Sequence, residues 1–149
     1  MELTKPTFAM ATICLNISYC KLKEELSEHT QLQLYQYGFS GFKSGYTSGL
    51  RIKKNSRGQT LTVLNYTVEQ LFAVAYGAGM PIKHDHNIID VTERIKLQES
   101  RCYKLFVPQQ QIANFYSIMQ QNLKLEFPAY KITIELIDNE KYMIITDIV

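Results

Sequence analysis

The sequence predicts an α+β fold: a mostly antiparallel sheet with two main helices on one face. Three observations point there. Short alternating segments bounded by turn residues recur along the chain. Two longer stretches, one beginning near Thr67 and one near Ile112, carry apolar residues at helical spacing instead. Each of these stretches has strand-like segments before and after it. Helices gathered on one face of an antiparallel sheet bury all of these surfaces economically.

Taken in order, residues 7–19 alternate at Ala9, Ala11, Ile13, Leu15, Ile17 and Tyr19, as a strand does. Met10, Ile13, Cys14 and Ile17 also fit a helix face, and the threonine and isoleucine content tips the balance towards strand. Residues 21–30 are charged around Leu22 and Leu26 and suit a short solvated helix; residues 31–37 suit an extended piece. Residues 38–49 hold four of the seven glycines and read as a loop. Residues 50–54 and 60–64 form a strand pair around the turn Asn55-Ser56-Arg57-Gly58. Thr67-Val68-Glu69-Gln70 is a capping box, and Val68, Leu71, Phe72, Ala75 and Tyr76 mark one buried helix face. Gly77 and Gly79 stop that helix and Pro81 prevents its resumption. Asn87 to Thr92 is a short apolar strand.

Cys102 to Val107 is a further strand, closed by Pro108. Ile112, Phe115, Tyr116, Met119 and Leu123 mark the second helix, which Phe127-Pro128 ends. Tyr130 to Leu136 alternates, Asp138-Asn139 turns the chain, and Tyr142 to Thr146 returns antiparallel. The order is strand-strand-helix-strand, then strand-helix-strand-strand. It suggests a weak structural duplication without a sequence repeat.

At 149 residues the chain reads as a single domain, 1–149, with residues 1–37 its less clearly read N-terminal part. A domain of this size buries roughly 68–70% of its unfolded surface, enough for one core. A net charge of +2 and a pI near 8.4 are too mild for a nucleic-acid or membrane-surface footprint, so no nucleic-acid partner is expected. No apolar run reaches the roughly 18 residues of a membrane span, so the chain is not expected to be transmembrane. The stretch from Phe8 to Leu15 loosely resembles a signal peptide, but Glu2, Pro6, Asn16 and Ser18 favour folded chain. The three cysteines, Cys14, Cys20 and Cys102, form no C-x-x-C motif and read as small buried hydrophobes.

The candidate sites divide by chemistry. His84 and His86, one residue apart in an extended loop, are weak metal candidates, with Asp90 or His29 as a third ligand; a solvated loop is the plainer account. The glycine-flanked Ser40 and Ser44 lack the strand–turn–helix setting of a nucleophile elbow. In the glycine-rich loop, Phe39, Phe42 and Tyr46 are either anchors pinning the loop to the core or an exposed contact surface. With Lys43 and Arg51 they form the predicted binding set. Arg51, Lys53, Lys54 and Arg57 suit an anionic ligand or a single strand, and equally a hairpin edge guarded by lysines, which is the plainer account. No cofactor is implied.

The stretch Gly58 to Gly77, in which a strand runs into Thr67, Leu71 and the helix end Ala75-Tyr76-Gly77, resembles a soil-associated bacterial family, a domain of unknown function, and the resemblance covers residues 38–149. Tyr103-Lys104-Leu105 and the Met119, Leu123, Phe127 series resemble the family's later strand and helix end. Ser40 to Gly45 is similar to forms found as the C-terminal extension of thioredoxin-like thiol-disulfide oxidoreductases. Met80-Pro81-Ile82 departs from the family, many of whose members carry a tryptophan there. The resemblance implies an accessory, non-catalytic recognition domain of a bacterial envelope protein. It would be periplasmic or otherwise extracytoplasmic and would meet a protein partner or a fused thioredoxin-like domain. The alternatives are a thiol- or metal-dependent enzyme or redox module using Cys102 or His84 and His86, and a structural oligomerisation module.

Overall fold

The computed structural model describes residues 35–148, except residues 79 and 81. The expectations for the strand at 7–19 and the charged helix at 21–30 lie outside the described residues, as do Cys14, Cys20, His29, Gly79 and Pro81.

The fold is α+β, with mostly antiparallel sheets and two main helices. Its strands are β1 (Gln36–Gly41), β2 (Gly49–Asn55), β3 (Gly58–Thr67), β4 (Asn87–Asp90), β5 (Ser100–Pro108), β6 (Tyr130–Ile137) and β7 (Glu140–Asp147). Its helices are α1 (Val68–Tyr76), a four-residue α2 (Arg94–Leu97) and α3 (Phe115–Glu126). The predicted single sheet resolves into two: a four-stranded antiparallel sheet ordered β1-β5-β3-β2 and a three-stranded sheet ordered β4-β7-β6. In the smaller sheet β4 runs parallel to β7.

Helix α1 explains the split. Besides the predicted Val68, Leu71, Phe72 and Ala75, it buries Glu69, Ala73 and Val74. A helix apolar nearly all round must be enclosed rather than laid on a surface. One sheet covers one side only. Met143 and Ile145 of β7 therefore join Leu61, Val63, Tyr103 and Leu105 of the larger sheet in one hydrophobic cluster with α1 and α3. Helix α3 is amphipathic. It buries Phe115, Ile118, Met119, Asn122 and Leu123 and leaves Lys124 and Glu126 in water.

Local signals set the element ends. The Thr67 side chain accepts from Gln70 N at 3.2 Å while Gln70 Oε1 accepts from Thr67 N at 2.9 Å, the predicted reciprocal cap. Asp138 and Asn139 have φ of 53° and 64°, which is the turn geometry that joins β6 to β7 with the right twist. At the β2–β3 turn, Asn55 Oδ1 accepts from Arg57 N and Gly58 N. Gly58 is required there, since an added Cβ would lie 2.2 Å from the Val107 carbonyl oxygen of β5.

Several boundaries differ from the sequence reading. Gly38 to Gly41 belongs to β1, not to a loop, because Tyr37 and Phe39 turn inward and draw the intervening residues into register with β5. The glycine-rich loop is therefore residues 42–48. Gly77 does not reverse the chain; its φ is −77°, and Ala78 takes the left-handed turn at 50°. Gly77 serves close approach, its missing Cβ making room for the Met80 carbonyl oxygen. The turn before α3, Gln109–Asn114, is a 3-10 helix and not part of the α-helix.

Candidate functional site

Register fixes what the larger sheet shows to each side. In antiparallel pairs, directly opposed residues share a face, and alternate residues switch faces. Leu61, Val63, Tyr103 and Leu105 point to the core. On the opposite face two rows cross all four strands. One runs Arg51, Thr62, Lys104, Gly38; the other runs Lys53, Thr60, Phe106, Gln36. Arg51, Lys53 and Lys104 are exposed, and Phe106 is half-buried. An open cleft of about 380 Å³ lies on this face, lined among others by Gln36, Ser40, Lys43, Thr62, Lys104 and Phe106.

The 42–48 loop contributes Lys43 to the cleft's lining, and its position is set by one side chain. Asn65 adopts φ of 50° at a break in the β3–β5 register. Its amide accepts from Lys43 N at 2.8 Å and donates to the carbonyls of Lys43 and Tyr46, each at 2.8 Å. The asparagine thus replaces the backbone partners that a sheet would have supplied. Beneath it Cys102, only 4% exposed, contacts Asn65 Oδ1 and Asn65 N at 3.4 Å through its sulfur. Replacing Asn65 with glycine keeps the left-handed backbone and removes the clamp. The expected result is a loss of about 2 kcal/mol in urea unfolding, with faster tryptic cleavage after Lys43 in the folded protein.

The predicted binding residues do not all reach this place. Phe42 and Tyr46 are exposed at 63% and 62%, and Lys43 lines the cleft. Arg51 sits on the same face, one strand beyond β3. Phe39 also borders the cleft, but its ring turns inward, 4.6 Å from Tyr103 and 5.8 Å from Phe127, and anchors β1 to the core, whereas Phe42, Tyr46 and Arg51 stand outside the cleft's lining. Neither His84 nor His86 lines the cleft, and the two turn to different partners. His86 stacks on Tyr142 at 4.5 Å and lies 2.9 Å from Glu140, whereas His84 lies 3.7 Å from Glu69. Among the described residues no three His, Cys, Asp or Glu side chains come together as a metal-binding group.

Lys104, Asn65 and Glu69 are the residues that the sequence reading missed. Lys104 decides between the accounts of the basic cluster. Lysines guarding a sheet edge explain Lys53 and Lys54 on β2, but β5 is an interior strand. The acidic residues are also segregated. From Tyr35 to Val68, and again from Ser100 to Leu125, the chain contains no Asp or Glu, so every described strand of the larger sheet is free of carboxylates. Among the described residues no carboxylate pairs with Lys43, Arg51, Lys53 or Lys104; the nearby Arg101 is held by Glu99 at 2.8 Å. A whole-chain charge of +2 averages over this separation. No protein-family model, curated protein or solved structure matches the chain, so the residues of this face carry the functional argument alone.

Proposed function

We propose that the chain is a non-catalytic recognition domain that holds an anionic ligand on the outer face of its larger sheet. The observation that carries this reading is the convergence of Lys43, Arg51, Lys53 and Lys104, from a loop and two strands, on one open face without a described carboxylate partner. Such a face attracts anions over the range of a Debye length, about 8–10 Å at moderate salt. The cleft lining supports binding over chemistry. It offers ammonium, amide and hydroxyl groups, and its thiol, Cys102, is already engaged by Asn65. The envelope setting implied by the family resemblance is a separate proposal about where the domain works.

Retention on a heparin column tests the reading. The Arg51→Glu/Lys104→Glu variant is expected to elute at clearly lower salt than the unaltered protein. Lys131→Glu/Lys141→Glu, which makes the same change in charge on the smaller sheet, is expected to elute close to it. Equal shifts for both pairs would reduce the effect to net charge and remove the site.

A further inference from the structure

We infer that the ligand of this face is a single-stranded nucleic acid, bound with phosphates on the cations and bases on the aromatic side chains. The inference rests on the anion-binding reading above and adds the ligand class.

The first argument is the shape of the cation array. Arg51 and Lys104 are separated by Thr62 in one row, which places their strands about 10 Å apart. Arg51 and Lys53 are two residues apart on β2, about 7 Å along the strand. Lys43, from the 42–48 loop, adds a third origin to the array on the cleft's lining. A compact anion needs donors that converge on one point. Cations spread across strands at these intervals suit an extended chain of charges.

The second argument is the aromatic component. Phe106 lies in the same row as Lys53 and two residues from Lys104. Phe42 and Tyr46 project from the loop at more than half exposure. The Asn65 clamp holds the loop backbone, so its aromatic side chains stay in water without needing core contacts to fix them. Cations interleaved with exposed rings are what single strands bind, because unstacked bases present their faces to aromatic side chains. A duplex keeps its bases stacked inside and offers this surface phosphates alone. Acidic peptides and sulfated polysaccharides have no bases to stack on the rings.

The third argument is space. Gly38 occupies the place beside Lys104 where a side chain would otherwise stand. The cleft of about 380 Å³ falls within the range of small-ligand pockets, roughly 300–1,000 Å³, and has room for one base with its sugar. Gln36, Ser40 and Thr62 in its lining offer donors and acceptors to a base edge.

Fluorescence anisotropy with labelled 15-residue oligo-dT and oligo-U tests the inference on the full chain. Binding is expected at low salt, with log K falling against log salt at a slope of about −2 to −3, as three or four phosphate contacts require. Phe42→Ala/Tyr46→Ala is expected to weaken binding about thirtyfold or more while leaving that slope unchanged. Arg51→Ala/Lys104→Ala is expected to flatten the slope by about 1.4. All four residues are exposed, and circular dichroism melts are the check that each variant is folded. If a duplex of the same length binds as well and the aromatic variant is unchanged, the face holds polyanions generally. The single-strand inference then falls while the anion reading stands. Binding to phosphatidylglycerol vesicles without binding to the oligonucleotides likewise overturns the single-strand inference alone. Failure to bind any of these probes, or heparin, overturns both.

Discussion

Replacing Phe72 with alanine is expected to cost about 3–5 kcal/mol of stability, the range for truncating a fully buried aromatic. Phe72 is 1% exposed on α1 and meets three other rings, with centroids 6.1 Å from Phe127, 6.4 Å from Tyr130 and 6.5 Å from Tyr76. Two of these contacts are edge-to-face, an arrangement favoured by the ring quadrupole beyond simple area burial. The ring joins α1 to the end of α3 and to the start of β6, so the cavity left behind lies where both sheets share one core. Urea unfolding followed by circular dichroism measures the loss. Phe42→Ala is the internal control, since its ring is exposed and its expected change is within about 0.5 kcal/mol. A small change for Phe72 would mean that the enclosure of α1 collapses easily around a missing ring.

Glu69→Ala is expected to cost about 3 kcal/mol by a different route. Glu69 is 2% exposed in the first turn of α1. Its Oε1 accepts from Asn87 Nδ2 at 2.7 Å and its Oε2 from Gln98 Nε2 at 2.9 Å. The exposed His84 ring lies 3.7 Å away. A carboxylate near a helix N-terminus also meets the positive end of the helix dipole. Alanine removes the acceptor and leaves both amide groups without their partner. A buried donor that loses its acceptor costs about 1–3 kcal/mol. Glu69→Gln keeps the shape and one acceptor oxygen, and is expected to recover about half of the loss in the same unfolding experiment. Because Asn87 opens β4 and Gln98 follows α2, hydrogen exchange in residues 87–98 is expected to accelerate in Glu69→Ala before the rest of the protein responds. Uniform acceleration would mean that Glu69 supports the whole core and not this segment.

These residues show which parts of the molecule were legible in the sequence. The capping box at Thr67, the Asp138-Asn139 turn and the β2–β3 hairpin were readable because each is decided by residues within a few positions of one another. The second sheet was not, because it depends on β4 meeting β7 more than 50 residues later. Glu69 borders the stripe formed by Val68, Leu71, Phe72, Ala75 and Tyr76, three residues before Phe72 and seven before Tyr76, but an acidic residue in a first turn ordinarily faces water. The unbroken apolar run Leu71 to Ala75 was the available sign that α1 is enclosed. Of the site, Phe42, Lys43, Tyr46 and Arg51 were found by composition and proximity. Lys104 was missed because within its own strand it is simply the polar member of an alternating pattern. Only register with Thr62 places it in one row with Arg51, across the intervening strand.

The parallel pairing of β4 with β7 also has a consequence for how the chain is synthesised. In the smaller sheet the last strand in chain order is the middle one, with β4 and β6 on either side. During translation β4 and β6 emerge from the ribosome with no strand between them, and α1 waits with part of its apolar surface uncovered. The larger sheet can form from segments made by residue 108, whereas the smaller one cannot form until Met143 to Thr146 are available. Nascent chains stalled before β7 should therefore depend on chaperones, and released chains should fold their second half in a single late step.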